Sequence, residues 1–239
     1  FFFFFLSPPP PSFILFYFYY FFLLLLFFVI VGGQAAARDM LAGDKFGSAG
    51  KTIVVEELLE GPEVSLLAFC DGHLAVPMLP AQDHKTLLDG NRGPNTGGMG
   101  TYAPYPGLSS ADLEHIRQTV LQPTVDGMRA EGRPFHGTLF AGLMLTPDGP
   151  RVLEFNCRFG DPETQVVLPL LTSDLAATML ACVPSPTRKL ASNLPHFSKD
   201  SCVAVVMASP GYPDAYPKGL PITGLNAAHQ LNDNNDVLP

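Results

Sequence analysis

The sequence predicts an α+β (mixed α/β) fold in which strands pair as antiparallel hairpins and helices pack against them. The apolar runs 65–70 and 73–78 are separated by Asp71-Gly72, a dipeptide typical of two-residue hairpin turns. The runs 137–145 and 151–157 are joined by Thr146-Pro147-Asp148-Gly149, a good turn sequence. Because hairpins mixed with helices are not the pattern of alternating βαβ units, a doubly wound parallel sheet is not expected.

Three helices are predicted from capping residues and apolar spacing. Ser109 or Ser110 should cap the first, which carries apolar residues three or four apart, and Pro123 should kink or end it. Asp161 followed by a proline should open the second, with Asp as cap and Pro at the first helical position. Ser173 should cap the third, which runs to about residue 183.

Four further segments complete the expected organisation. Residues 34–41 read as a helix and residues 52–55 as a β-branched strand. Residues 82–107 are polar and rich in Gly, Pro and Asn, which predicts a long functional loop. After a polar, linker-like stretch at 184–200, residues 202–208 form an apolar run typical of a strand.

The composition indicates an acidic intracellular protein. The formal net charge is -8 and the sequence pI is about 5.1, which argues against broad contact with nucleic acid or an anionic membrane surface. The four cysteines are widely spaced and show no CxxC pair, so we expect reduced thiols and a cytosolic location. The histidines form no H-E-x-x-H pattern, and no G-x-S-x-G occurs, so neither zinc nor serine-hydrolase chemistry is indicated.

The first 31 residues contain no charged side chain and are rich in Phe. Residues 13–31 are long enough to span a membrane. However, the segment has no initiator Met, no basic flank and no cleavage site of small residues. Because Phe, Leu, Ser and Pro have pyrimidine-rich codons, we interpret it as a translated pyrimidine tract before a splice acceptor, with a membrane span as the alternative.

The strand at 151–158 carries the most informative side chains. In an extended strand Glu154, Asn156 and Arg158 share one face, about 7 Å apart at each step. A carboxylate and a carboxamide oxygen suit Mg²⁺, and a guanidinium could hold a phosphate in a forked contact. By spacing alone, a half-buried strand with one wet face is the favoured explanation of the pattern.

Two other segments could contact a nucleotide. Asp83-His84-Lys85 precedes the run Gly93-Pro94-Asn95-Thr96-Gly97-Gly98-Met99-Gly100, whose backbone N–H groups could form an anion-binding concavity near Lys85. The run is neither a Walker A loop nor a dinucleotide fingerprint. A plain surface loop without a binding role is the alternative interpretation. At 56–63, backbone groups could pair with an adenine edge and an acid could accept from ribose hydroxyls, although solvated acids are the simpler explanation.

Four segments, in this order, resemble the phosphoribosylamine–glycine ligases (glycinamide ribonucleotide synthetases), an ATP-grasp family of purine biosynthesis. They are VVEELLEGPEVS, PAQDHK, GPNTGGMG and VLEFNCRFGDPETQ. The resemblance runs from about residue 34 to 225. It implies an apolar tract at 1–33 outside the fold, a partial ATP-grasp domain at 34–190 and the truncated start of a C-terminal domain at 200–239. In animals such enzymes form the first part of a trifunctional chain.

The resemblance also implies roles for individual residues and for the cofactors ATP and Mg²⁺ or Mn²⁺. The family usually has Arg where this chain has Thr86, which is a departure from the pattern. By position, Glu56, Glu57, Leu58 and Leu59 would be the adenine hinge, and Glu63 would be the ribose acid. Lys85 and Asn95 would lie near the nucleotide or substrate. Glu154 and Asn156 would be the metal ligands, and Arg158 would be the catalytic guanidinium.

The implied reaction joins glycine to 5-phosphoribosylamine through glycyl phosphate, with ATP converted to ADP and phosphate. The family's N-terminal domain and its phosphate-covering glycine loop have no counterpart in the sequence, so we expect the chain alone to be incompetent as a ligase. Two alternatives stay open: another ATP-grasp carboxylate-amine ligase or carboxylase, and a non-catalytic, membrane-anchored fragment.

Overall fold

A computed structural model describes residues 37–38, 40–42 and 52–224 of the chain. The apolar segment 1–31 lies outside these residues, as does the chain after residue 224. Of the helix predicted at 34–41, residues 37, 38, 40 and 41 are helical and the others lie outside the described part. Within the described ranges, no helix combines the length and apolar character needed to cross a membrane.

The predicted α+β fold with antiparallel hairpins is confirmed. A four-stranded sheet has the order β2-β1-β7-β8, a three-stranded sheet the order β3-β6-β9, and β4 pairs with β5. All of these pairings are antiparallel. The strands are β1 (Glu63–Asp71), β2 (Ala75–Pro77), β3 (Gln82–Asp83), β4 (Thr86–Leu88), β5 (Arg92–Asn95), β6 (Gly100–Ala103), β7 (His136–Thr146), β8 (Gly149–Asn156) and β9 (Cys202–Val205).

The first predicted hairpin exists, but its connection is longer than the two residues expected. Cys70 pairs with Ala75, so four residues lie between the last paired positions. The Asp71 carboxylate accepts hydrogen bonds from the backbone N–H groups of His73 and Leu74. Gly72 has φ +85°, a left-handed conformation that glycine adopts without steric cost. The Asp side chain thus stabilises a wider turn.

The second hairpin, β7 to β8, is confirmed, and its strands extend into the predicted turn so that two residues connect them. Thr146 pairs with Gly149, and the Thr146 hydroxyl donates to the Gly149 carbonyl at 2.8 Å. Further along, Leu143 pairs with Val152 but Gly142 pairs with Glu154. One extra residue of β8 is therefore accommodated as a β-bulge. The side chains of β8 therefore alternate between the two faces of the sheet before the bulge and again after it, but not across it.

Both faces of the four-stranded sheet are covered. Even-numbered residues of β1 pack with Ile116, Leu121 and Val125 of the helical segment 110–130. Odd-numbered residues of β1, including Leu67 and Phe69, pack with a second layer formed by the segments that follow β2 and β8. The sheet therefore has a helix-covered face and an opposite face, and the candidate site lies on the opposite face.

The first helix begins as predicted but does not end at Pro123. Ser109 is the N-cap of α1 (Ser110–Ile116), and it forms a capping box with Asp112. A π-helical turn, Arg117–Leu121, leads directly into α2 (Gln122–Ala130). Pro123 lies in the first turn of α2, where a missing N–H costs little. The expectation that the helix ends at that residue is wrong, and the irregularity in this helical segment is the π turn directly before α2.

The other two helix starts are displaced from their predicted caps. Asp161 does not cap a helix, because α3 (Thr164–Val167) begins three residues later with Glu163 as N-cap. The third, α4 (Leu175–Cys182), is capped by Asp174, whose carboxylate accepts from Ala177 N at 3.0 Å. Ser173 instead accepts from the His196 backbone N–H. For α4 a neighbouring acid thus replaces the predicted cap, whereas α3 begins without a side-chain capping hydrogen bond.

Three segment predictions need correction. Residues 52–55 form no strand, and Val55 is exposed. Residues 82–107 are not one long loop, since they contain β3 to β6. Residues 184–200 are not a free linker, because Leu190 is fully buried and Phe197 bridges to Leu171. The division into domains near residues 190–200 stays a prediction. The strand predicted at 202–208 is confirmed over its first four residues.

Candidate functional site

The candidate site lies at one end of the four-stranded sheet, on the face opposite the helices. Ser65 of β1 pairs with Gly142 of β7, which in turn pairs with Glu154 of β8. One step along, Phe140 pairs with Asn156. Since paired residues of adjacent strands lie on the same face, Ser65, Glu154 and Asn156 share it. The prediction that Glu154 and Asn156 lie on one face is confirmed.

Glu154 and Asn156 each present a buried oxygen without a hydrogen-bond partner. Asn156 is 2% exposed, and its Oδ1 accepts no hydrogen bond. The same holds for Oε2 of the half-buried Glu154. Burial raises the pKa of Glu154, although Lys85 and a hydrogen bond from Asn156 act in the opposite direction. Buried polar atoms rarely lack partners, so two on neighbouring positions indicate a ligand.

The two oxygens fit a magnesium ion. Mg²⁺ uses hard oxygen ligands, and it often takes only one or two protein groups because water and phosphate complete its octahedron. Among the described residues, no group of three or more His, Cys, Asp or Glu is arranged to hold a metal ion by itself. A pair consisting of one carboxylate and one carboxamide is thus the candidate metal site of this part of the chain.

Lys85 reaches the site from the segment that follows β2. That segment runs back along β1, where Ser65 and Ala81 exchange both backbone hydrogen bonds. The Lys85 ammonium donates to the Glu63 carboxylate, and both side chains are one-third exposed. Burial would lower the pKa of Lys85, but Glu63, Glu154 and Asp83 raise it above its usual value. The site therefore holds a fully charged ammonium among carboxylates.

The glycine-rich run 93–100 does not form the anion-binding concavity that its sequence suggested. The N–H groups at its centre are used within the protein: Thr96 donates to the Lys85 carbonyl, Gly97 to the Tyr212 hydroxyl and Met99 to the His84 carbonyl. The Thr96 hydroxyl also donates to the Lys85 carbonyl, at 2.8 Å. The run instead fixes the backbone that carries Lys85.

Two further acids complete the cluster. Glu163 is 3% exposed, and its Oε1 accepts from the Ser65 hydroxyl at 2.6 Å. Burial, followed by the neighbouring Glu163 carboxylate, raises the pKa of Asp83 to about 7, although Lys85 lowers it. A Cβ at Gly98 would lie 2.7 Å from Asp83 Oδ1, so only glycine leaves room for that carboxylate. The cluster consists of Glu63, Ser65, Asp83, Lys85, Glu154, Asn156 and Glu163.

Not every predicted site residue joins this cluster. Arg158 lies beyond the end of β8, so it does not continue the row of Glu154 and Asn156, and its guanidinium donates to the Phe159 carbonyl. Asn95 ends β5 and is exposed. The adenine-hinge residues lie before β1 in a segment with no assigned helix or strand, and of the four only Leu59 is half-buried. The functional roles of these residues stay predictions.

Sequence reasoning did not assign functional roles to Ser65, Asp83 and Glu163. All three lie within the segments that carry the family resemblance, Ser65 as the last residue of VVEELLEGPEVS, and this resemblance is the available sequence signal. Ser65 and Glu163 are 98 positions apart in the chain, so no local pattern could reveal their hydrogen bond.

Comparisons with known proteins match the part of the chain that holds this cluster. The model of the phosphoribosylglycinamide synthetase ATP-grasp (A) domain matches residues 32–164, which include the whole cluster. The chain is 61% identical over 197 residues to a trifunctional purine biosynthetic protein of Gallus gallus, covering 82% of this chain and 19% of that protein. It is 48% identical to a phosphoribosylamine–glycine ligase of Halalkalibacterium halodurans, covering 85% of this chain and 46% of that enzyme.

A solved structure has the same fold. The crystal structure of phosphoribosylamine–glycine ligase from Thermotoga maritima matches with a TM-score of 0.63 and 31% identity, covering 78% of this chain and 47% of that one. The chain thus spans less than half the length of these relatives. Since the family model matches more than half of the chain, and the matched part carries the clustered oxygens and ammonium, the chain belongs to the phosphoribosylglycinamide synthetase ATP-grasp (A) domain family.

Proposed function

We propose that this chain carries the metal and nucleotide site of an ATP-dependent ligase that joins glycine to 5-phosphoribosylamine. The observation that carries the proposal is the pair of buried, unpartnered oxygens on Glu154 and Asn156, beside the ammonium of Lys85. Oxygen ligands next to a cation are what a magnesium–polyphosphate needs. Because the chain spans less than half of its relatives, the complete activity is part of the proposal.

The reaction balances without a covalent enzyme intermediate. A carboxylate oxygen of glycine attacks the γ-phosphorus of ATP, and ADP leaves with the electrons of the broken P–O bond. The amine of phosphoribosylamine then attacks the acyl carbon of glycyl phosphate, the acyl C–O bond breaks as inorganic phosphate leaves, and the amine nitrogen releases one proton to solvent. The protein's contribution is to position the reactants and neutralise charge.

The residues that the sequence analysis singled out have separate tasks in this proposal. Lys85 orients a phosphate, Glu63 accepts from the ribose, and Arg158 supplies a further positive charge. The hinge 56–59 contacts adenine, and Asn95 lies near the nucleotide or substrate. Glu154 and Asn156 would hold Mg²⁺, or Mn²⁺ in its place, which neutralises phosphate charge when it is bound.

The names of the relatives support glycine and phosphoribosylamine as substrates. Bacterial relatives are named phosphoribosylamine–glycine ligase, and those of chicken, cattle and human are trifunctional purine biosynthetic proteins. Membership of the phosphoribosylglycinamide synthetase ATP-grasp (A) domain family favours this ligase over a different ATP-grasp ligase. We extend the proposal to a cytosolic location and to a place beside further purine enzymes in one polypeptide.

Nucleotide binding by the full 239-residue chain tests the proposal. Calorimetric titration with ATP should show tighter binding with Mg²⁺ than with a chelator. Glu154→Gln and Asn156→Ala should each remove most of that difference, a loss of about tenfold or more. Glu131→Gln, at an exposed acid that follows α2, is the matched control and should bind as the wild type does. Equal Mg²⁺ dependence in all four proteins would reject the site.

The substrate is tested separately by thermal unfolding with Mg²⁺ and ATP present. Glycine should raise the melting temperature further because it adds contacts that only the folded state makes. Bicarbonate, the substrate class of a carboxylase, should not. A shift with bicarbonate and none with glycine would redirect the proposal to another acid substrate while leaving the nucleotide site in place.

A further inference from the structure

The ion pair between Glu63 and Lys85 joins two residues that the proposed function assigns to different parts of one ligand. Glu63 opens β1, and its backbone carbonyl accepts from Gln82 Nε2 at 3.1 Å. Lys85 comes from the segment after β2, where its carbonyl accepts from the Thr96 N–H and hydroxyl. Both backbones are thus held in place, and contact between the side chains depends on side-chain rotation alone.

Neither partner of this pair can be separated from the other without cost. Both side chains are two-thirds buried, so a separated carboxylate or ammonium would lose its partner without regaining full hydration. Two other carboxylates, Asp83 and Glu154, also stabilise the Lys85 charge. For Glu63, the contacts among the described residues include no cation other than Lys85. Opening the pair therefore leaves Glu63 as the more poorly compensated charge.

We propose that the Glu63–Lys85 pair selects nucleoside triphosphates over other polyphosphates, an inference that rests on the proposed nucleotide site. A phosphate that replaces Glu63 as the partner of the one-third-exposed Lys85 ammonium opens the pair. A triphosphate attached to a sugar gives Lys85 a phosphate and Glu63 hydroxyl donors. Inorganic triphosphate satisfies only Lys85 and leaves Glu63 unpaired, and a nucleoside without phosphate does the reverse. The pair thus disfavours each half of the ligand alone.

The ratio of two dissociation constants measures this selectivity. Calorimetry on the full chain with Mg²⁺ should give inorganic triphosphate a weaker affinity than ATP. In Glu63→Gln the penalty disappears, so the affinity for inorganic triphosphate should rise about two- to fivefold, the effect of one partly exposed ion pair. The affinity for ATP should stay equal or fall, because the amide is a poorer acceptor for the ribose. The selectivity ratio should therefore decrease.

A double-mutant cycle separates this mechanism from the general removal of a negative charge. In the Lys85→Met background, Glu63→Gln should improve the binding of inorganic triphosphate less than it does when Lys85 is present. Glu131→Gln, on the far side of the sheet, should leave the ratio unchanged. An equal gain in both Lys85 backgrounds, or an unchanged ratio in Glu63→Gln, overturns the inference and leaves the nucleotide site intact.

Folding and binding failures are distinguished by two further measurements. Circular dichroism and urea unfolding of the four proteins of the cycle report whether each folds, and their coupling free energy measures the ion pair without any ligand. If Glu63→Gln does not fold, Glu63→Asp, which withdraws the carboxylate by one methylene, should change the ratio in the same direction. Absence of ATP binding by the wild-type chain rejects the proposed function, and the inference fails with it.

Discussion

Gly142 of β7 lies directly beside Glu154 of β8, and a Cβ at Gly142 would come within 3.2 Å of the Glu154 Cγ. This is closer than side chains normally approach, so the Glu154 side chain occupies space that the missing Cβ leaves free. Ser65, the next residue across the sheet, faces the same space from β1. The orientation of the proposed metal carboxylate thus depends on a glycine that contributes no functional group.

Gly142→Ala should therefore weaken Mg²⁺-dependent ATP binding about tenfold, because a displaced ligand binds its metal poorly. Calorimetry with and without a chelator measures the effect. Gly127→Ala in α2 is the matched control, since a Cβ there meets no atom within 4 Å. It should leave binding unchanged and stabilise the helix by about 0.5–1 kcal/mol. Unaltered Mg²⁺ dependence in Gly142→Ala would show that Glu154 does not need this space.

Ser65→Ala should reduce the free energy of unfolding by about 1–3 kcal/mol, since it leaves the buried Glu163 carboxylate without the hydroxyl that donates to it. Urea unfolding at neutral pH gives the value. Ser110→Ala replaces an exposed serine and should change the free energy by less than about 0.5 kcal/mol. A similar small change in Ser65→Ala would mean that the Ser65–Glu163 hydrogen bond contributes little.

The raised pKa of Asp83 predicts a loss of stability as the pH rises. The pKa is about 7 in the folded chain against an ordinary 3.8, so between these values the folded state binds more protons than the unfolded state. The contribution of Asp83 is most favourable at the acid end of this window and is lost as the pH rises through about 7.

Asp83→Asn removes the titration, and its melting temperature should depend less on pH across this window than that of the wild type. Thermal unfolding in buffers that span the window measures both slopes. Asp89→Asn, in the exposed turn between β4 and β5, should keep the wild-type slope. Parallel curves for all three proteins would contradict the assigned titration.

Ser109→Ala should destabilise the chain by about 1 kcal/mol, because Ser109 accepts from the Asp112 N–H and forms a capping box with it. Ser110 lies one residue inside α1, so Ser110→Ala should be nearly neutral. Urea unfolding of the two variants decides between the two caps that the sequence allowed. Equal losses would mean that neither hydroxyl is specific.

Turn and strand patterns predicted much of the main sheet, because they depend on neighbouring residues. The turn at 146–149 and the apolar run of β1 are local signals, and both strands formed where expected. Residues 52–55 carry an equally good strand pattern yet pair with no described strand. A β-branched run needs a hydrogen-bonding partner, and the pattern does not report whether one exists.

The sequence identified a site residue only where a local pattern or the family resemblance assigned it a role. Alternation along β8 placed Glu154 and Asn156 on one face, and the family resemblance implied that they are metal ligands and that Glu63 and Lys85 lie near the nucleotide or substrate. The contact between Ser65 and Glu163 joins distant parts of the chain, and the hydrogen bonds of the run 93–100 satisfy donors that seemed free for a phosphate. Such contacts form only when separate segments fold together.

The β-bulge in β8 decides which chemical environment the two metal-site oxygens experience. With uninterrupted pairing from the Thr146–Gly149 end, Glu154 would lie opposite Ala141, which faces the helices, rather than Gly142. Glu154 and Asn156 would then point into the apolar layer of Leu and Ile side chains between the sheet and the helices, where burying an unpaired charged carboxylate is strongly unfavourable. A single extra residue in β8 therefore determines which face of the sheet the following side chains of that strand occupy. Insertions or deletions that restore even pairing should convert a candidate ion-binding surface into a misfolded core, even if every side chain of the site is retained.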